Sequence, residues 1–177
     1  FEACNKVCFA DTQAAKMAAE AILQNKKKKV LGLFGNAHMS ITKKRLDAFT
    51  AAFQQENTKT KLVTDFALSH DEAREKTVHH LTTKNKFDTV FCMSDEILTG
   101  TMKAIQELGL KIPENISVIS ISNGIIPRLY YPEITYVETS GAKLGKLAFA
   151  RMMACLSGST FIREVIVEST LVNGGSL

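Results

Sequence analysis

Residues 87–123, FDTVFCMSDEILTGTMKAIQELGLKIPENISVISISN, read as one complete strand-helix-strand unit. Residues 89–93 (TVFCM) are a short apolar, partly β-branched run without polar alternation, the pattern of a strand covered by helices on both faces. Ser94 and Asp95 offer cap residues directly before a helical pattern of Leu98, Thr101, Ile105 and Leu108. Gly109 stands where a helix C-terminus takes a residue tolerant of positive φ. Beyond Pro113, which cannot continue a helix, residues 116–121 (ISVISI) give a second buried strand ending in the turn Ser122-Asn123-Gly124. Ligands of open α/β sheets bind outside the carboxyl ends of the strands, so Ser94, Asp95, Ser122 and Asn123 are the first candidate site residues.

Upstream, residues 7–10 are a strand candidate, followed by a helix over 12–24 with Ala14, Met17, Ala18, Ala21 and Ile22 as its apolar stripe. Lysines 26–29 read as a solvated turn and are expected to form a crossover between subdomains. Residues 30–34 (VLGLF) give another buried strand, and a loop over 35–40 leads to a helix over 41–55 with Leu46, Phe49, Ala52 and Phe53 on one face. Arg45 adjoins that face near the helix start, within reach of the sheet's carboxyl edge; by residue type alone it is a surface arginine pairing with Asp47 or Glu56. Residues 61–66 (KLVTDF) form a strand, and Ser69 with Glu72 makes a capping box for the next helix. Downstream come a mixed loop at 124–133, a strand at 134–137, a helix capped by Thr139 or Ser140, and a bent strand or two over 162–172. Leu144, Leu147, Ala148, Met152 and Cys155 form that helix's apolar face.

At 177 residues with 45% hydrophobic content the chain can bury a sizeable core. Its net charge of +4 is spread out, with no arginine-rich arm, which argues against nucleic-acid binding by these residues themselves. Cys4, Cys8, Cys92 and Cys155 show no CxxC spacing and are expected to be buried, reduced thiols in a cytoplasmic protein. No run of about 18 apolar residues is present to span a membrane. The chain opens on Phe1 rather than Met, at an inner strand, and is expected to be a piece of a longer protein.

Catalysis finds little support, because phosphate-binding loops, nucleophile elbows, paired metal-ligand motifs and dinucleotide-binding glycine patterns are all missing. His79 and His80 are adjacent, so on a helix they diverge by about 100° and cannot chelate one ion together. Asp95 is the sole candidate acid at the strand ends, and its bland role is to cap a helix. No catalytic residue, metal or cofactor is therefore expected.

The same residues carry a resemblance. SD at 94–95, GLKIPENISV at 109–118 and SN at 122–123 resemble, in order, the effector-binding domain of LacI-family bacterial transcription regulators. The lysine run with residues 30–34, Lys44-Arg45 through Phe49, and YPEIT at 131–135 with Leu144-Gly145 extend the likeness along nearly the whole chain. The resemblance implies an α/β, parallel-sheet, three-layer αβα fold of the periplasmic-binding-protein-like type I class, present in part. It implies pieces of an N-terminal subdomain at 1–28 and 134–160, a C-terminal effector-binding subdomain at 29–123 and 161–177, and a crossover at 124–133. It turns Arg45 into a ligand contact and places Leu68 where relatives often carry an aromatic ring over the ligand, with Phe66 the nearest substitute. Ser94 and Ser122 are shorter than the family's residues, and the arginine that relatives often carry near the C-terminus is replaced by LVNGGS at 171–176. The expected function is sensing a small polar effector, sugar-like by analogy, as a homodimer whose duplex DNA contacts lie in a helix-turn-helix outside this sequence. The alternative is a periplasmic sugar-binding protein of a transport or sensing system.

Overall fold

The fold, taken from a computed structural model, is described for residues 4–55, 59–83 and 86–177. The chain runs β1 (Lys6–Phe9), α1 (Asp11–Gln24), β2 (Lys29–Phe34), α2 (Ser40–Gln55), β3 (Lys61–Phe66), α3 (His70–Thr82), β4 (Thr89–Cys92), α4 (Asp95–Glu107) and β5 (Ser117–Ser122). A 3-10 turn at Ile126–Leu129 then precedes β6 (Thr135–Glu138), α5 (Gly141–Leu156), β7 (Glu164–Val167) and β8 (Thr170–Val172).

Two sheets result. The larger has the order β3-β2-β4-β5-β6-β8, parallel except for β8, which returns antiparallel against β6. Helices α1 and α2 cover one face and α3 and α4 the other, giving three layers. Both central strands, β4 and β5, are buried at every residue, with Thr89, Ser117, Ser120 and Ser122 covered among the apolar side chains. Phe34, Phe49 and Phe91 form the aromatic centre of the core, Phe49 stacking on Phe91 at 4.2 Å between ring centroids. Helix α4 ends as its sequence predicts: Leu110 N–H donates to Ile105 O, Gly109 N–H to Gln106 O, and Gly109 takes φ +65°. Within that helix, Gly100 lies so close to α3 that a Cβ would collide with His70 O and Ala73 Cβ.

The smaller sheet is a parallel pair, β1 with β7, and α5 packs on it. The chain therefore crosses between the two bodies at Ala10, at 139–140 and at 168–169, since α1 packs against α2, β5 and β6 of the large body.

This corrects the expected division. Residues 134–137 were expected beside the first segment, but β6 pairs with β5 because Ile134, Tyr136 and Val137 are apolar enough to be buried in the main sheet. Helix α1 joins the large body for the same reason, with Ala14, Ala15, Ala18 and Ile22 fully buried. Residues 161–177 divide, β7 to the small sheet and β8 to the large. The lysine run is an ordinary turn inside the large body, where Lys27 Nζ donates to Ser117 Oγ at 2.7 Å and Lys28 N–H to the Asp88 carboxylate at 2.7 Å. Residues 1–3 and Glu56 lie outside the described residues.

Candidate functional site

The order of strand addition reverses between β2 and β4: the chain proceeds from β2 outward to β3, then returns to the other side of β2 as β4. At such a switch point the loops leaving two adjacent strands part to opposite faces and leave a crevice at the carboxyl ends. The crevice is present. A cavity of about 280 Å3 opens there, lined by the loop after β2 (Gly35, Asn36, Met39), the start of α2 (Ile41, Thr42), Leu68 after β3, and Met93, Ser94, Glu96 and Ile97 after β4.

Each wall has a local cause. Ser94 is the N-cap of α4, its Oγ accepting from Ile97 N–H at 3.4 Å, so the chain turns sharply out of β4 and presents Met93 and Ser94 at the edge. Ser69 caps α3 through Glu72 N–H, while the Glu72 carboxylate reaches back to Leu68 N–H at 2.8 Å, one residue earlier than in a standard capping box. That bond holds Leu68 out of the core, 59% exposed at the cavity rim. Asn36 Oδ1 accepts from His38 N–H at 2.9 Å and shapes the loop before α2. Thr42 is 1% exposed, and its Oγ1 has no partner among the described residues.

The predicted site residues gather at this edge, with most of their hydrogen-bonding capacity already used. Asp95 is the first residue of α4, while Ser94 is the cap; the Asp95 carboxylate instead accepts from Ser122 Oγ and, at 3.3 Å, from Asn123 N–H. Asn123 Oδ1 closes its own turn by accepting from Ile125 N–H at 3.0 Å. Arg45 reaches the carboxyl edge from α2 but is 5% exposed: Nε and Nη2 donate to Asp11 Oδ1 at 2.9 and 2.7 Å, and Nη1 donates to Met93 O at 2.8 Å. Its acceptor is thus neither Asp47 nor the cavity. Phe66 packs against the core, so Leu68 alone occupies the position expected of an aromatic ring.

Sequence reasoning missed Thr42, Asn36 and Glu96. The signal was available in position: each lies within two residues of a strand end or helix start bordering the switch point. Three of the four cysteines also differ from expectation, since Cys92 is buried as expected, whereas Cys4 is exposed and Cys8 and Cys155 are partly so.

The sequence pattern of the periplasmic binding protein-like domain matches residues 13–177. An HTH-type transcriptional repressor PurR of Yersinia pestis bv. Antiqua is 36% identical over 86 residues, covering 48% of this chain and 25% of that protein. The HTH-type transcriptional repressor PurR of Vibrio vulnificus is 24% identical over 147 residues, covering 82% of this chain and 44% of that protein. The chain spans less than half the length of either relative. Among solved structures, a dimeric Lac repressor with an 11-residue C-terminal deletion superposes with a TM-score of 0.89 at 17% identity, over 98% of this chain and 64% of that one. A LacI family transcriptional regulator from Enterococcus faecalis V583 with bound ribose superposes with a TM-score of 0.84 at 21% identity, over 97% and 62%.

Proposed function

Because this chain belongs to the periplasmic binding protein-like domain family, we propose that it is the effector-sensing part of a LacI-family transcription regulator. The observation that carries this reading is the cavity at the switch point between β2 and β4, beside three crossovers that join two separate bodies. A small molecule held there contacts loops whose relation to the smaller body depends on those crossovers, the arrangement by which hinge closure reports occupancy. The repressors among its relatives support a regulator over the transport reading. DNA binding then belongs to the whole regulator, through a helix-turn-helix that these residues do not carry, and the working compartment is the cytoplasm. No helix among the described residues is long and apolar enough to cross a membrane.

The effector is small and polar, and neutral in preference to anionic. Arg45 is committed to Asp11, and among the described residues Glu96 is the one ionic residue lining the cavity. Ribose, bound by the Enterococcus faecalis protein, is a first probe of suitable size. The proposal includes a homodimer, supported by exposed Ile125, Leu129 and Tyr131 on one side and by Leu147, Phe149, Met152 and Leu156 of α5 on the other.

Thermal unfolding of this chain with a panel of neutral sugars, ribose among them, and phosphorylated sugars tests the assignment. A ligand that binds only the folded state raises Tm with concentration. The expected result is a rise from a neutral compound that is abolished by Leu68→Arg; a rise unaffected by that substitution places binding elsewhere and defeats the reading.

A further inference from the structure

We propose that the amino-terminal edge of the large sheet is a docking surface for an acidic segment of a partner protein, an inference independent of the effector cavity, which lies at the opposite edge. Strands β2, β3 and β4 run parallel, so their first residues share one rim. Residues 25–29 (NKKKK), 59–61 (KTK) and 86–88 (KFD) bring seven lysines and one aspartate to it. These eleven residues hold a net charge of +6 against +4 for the whole chain, which leaves −2 for all the others together. A modest and scattered charge in the sequence thus becomes a concentrated one in the fold.

The carboxylate within this rim does not pair with its lysine side chains. Asp88 spends its oxygens elsewhere, Oδ2 accepting from Lys28 N–H at 2.7 Å, and Oδ1 from Lys29 N–H at 3.2 Å and from the Thr89 hydroxyl at 3.1 Å. Two ammonium groups turn inward: Lys27 Nζ donates to Ser117 Oγ at 2.7 Å, and Lys29 Nζ lies 5.0 Å from the centre of the Phe87 ring. Lys26, Lys28, Lys59, Lys61 and Lys86 are exposed and form no ion pair among the described residues. The turn that presents them is fixed, because Thr60 Oγ1 donates to Lys27 O at 2.7 Å and Lys61 N–H to Lys28 O at 2.8 Å.

This arrangement carries a cost. Lys26 has φ +54°, a conformation that lysine rarely takes, and Lys29 stands beside Lys61 in the strand register. Left-handed backbone and adjacent like charges both oppose folding, so the reason to hold exposed cations on a rigid rim lies outside the chain. Lysine chemistry selects the partner. Ammonium groups are hydrated point charges without the fork that grips phosphate, and these segments carry no arginine and no exposed aromatic ring for base stacking. A row of carboxylates on another protein fits such a rim, steered to it at long range and released by salt.

Fluorescence anisotropy of a dye-labelled oligoglutamate peptide, titrated with this chain at low and high salt, tests the proposal. The rim variant carries Lys26→Gln, Lys28→Gln, Lys59→Gln and Lys61→Gln; a control of equal net charge carries Lys6→Gln, Lys16→Gln, Lys143→Gln and Lys146→Gln. All eight side chains are exposed. The unaltered chain is expected to bind the peptide and to lose it as salt rises, the rim variant to bind on the order of tenfold more weakly or less, and the control to bind nearly as well as the unaltered chain. Tm of the rim variant should be no lower than that of the unaltered chain, since repulsion is relieved; a lowered Tm gives the lysines a structural role and overturns the argument. Equal weakening in both variants, or no binding by the unaltered chain, also overturns it. So does tighter binding of a labelled DNA duplex than of the peptide at equal salt, which would make the rim a nucleic-acid surface.

Discussion

Ser122 Oγ donates to the carboxylate of Asp95, fastening the end of β5 to the first residue of α4. The same carboxylate receives Asn123 N–H, and Ser122 Oγ itself accepts from Gly124 N–H at 3.0 Å, so one acidic side chain organises the whole turn after β5. Asp95→Ala strips two donors of their acceptor and removes a negative charge from a helix N-terminus. The expected cost is about 2 to 3 kcal/mol, measured as a lowered urea midpoint with unchanged slope. Asp95→Asn should recover part of that loss, because the amide oxygen still accepts.

Asp65 gives the pH dependence a defined side. Burial alone raises its pKa, but hydrogen bonds from His80, from Phe66 N–H and from Lys76 outweigh it and hold the carboxyl below its usual range. A folded-state pKa below the unfolded one contributes stability that is present above the unfolded value, near 3.9, and lost as pH falls through the folded value. Wild-type Tm should therefore fall below about pH 4 more steeply than that of Asp65→Asn, the two curves converging in acid. Parallel curves between pH 6 and pH 2 would dissociate Asp65 from the acid limb.

Cys92 lies in the fully buried β4, and burial pushes its thiol pKa up to about 12. The thiolate is the reactive form, so alkylation by iodoacetamide at pH 8 should leave Cys92 unmodified in the native protein while exposed Cys4 reacts. Mass spectrometry after digestion reads both sites, and modification of Cys92 should appear only once denaturant unfolds the main sheet.

Helix α5 buries none of its residues fully, and exposes Phe149, Met152 and Leu156 at 61%, 51% and 75%. At about 25 cal/mol per Å2, covering a few hundred Å2 of such surface is worth several kcal/mol, enough to drive self-association. Light scattering of this chain should show mass rising with concentration. The combination Met152→Glu with Leu156→Glu should lower it, and a clean monomer at every concentration would show that α5 is tolerated bare.

Much of this was legible in the linear chain because it depends on local chemistry. The apolar run before Ser94, the Ser caps at 69, 94 and 140, and the glycine after α4 fixed where elements start and stop, and the structure places them within a residue or two. The likeness between GLKIPENISV and its family counterparts identified the αβα class for the same reason: a strand-helix-strand unit is encoded by neighbours in sequence.

What the sequence could not decide was partnership across distance. Nothing in KKKK or in ITYVE tells which sheet a strand joins; that followed from β5 having an open edge onto which Ile134, Tyr136 and Val137 could be buried. Ser176, unnoticed in a polar tail, is fully buried and staples β5 to β6, donating to Val118 O at 2.6 Å and accepting from Thr135 N–H at 2.8 Å. Arg45 shows the limit most clearly. Its position on α2 announced that it would reach the carboxyl edge, but only the packing of α1 brought Asp11 within 2.7 Å and gave the buried guanidinium a carboxylate partner.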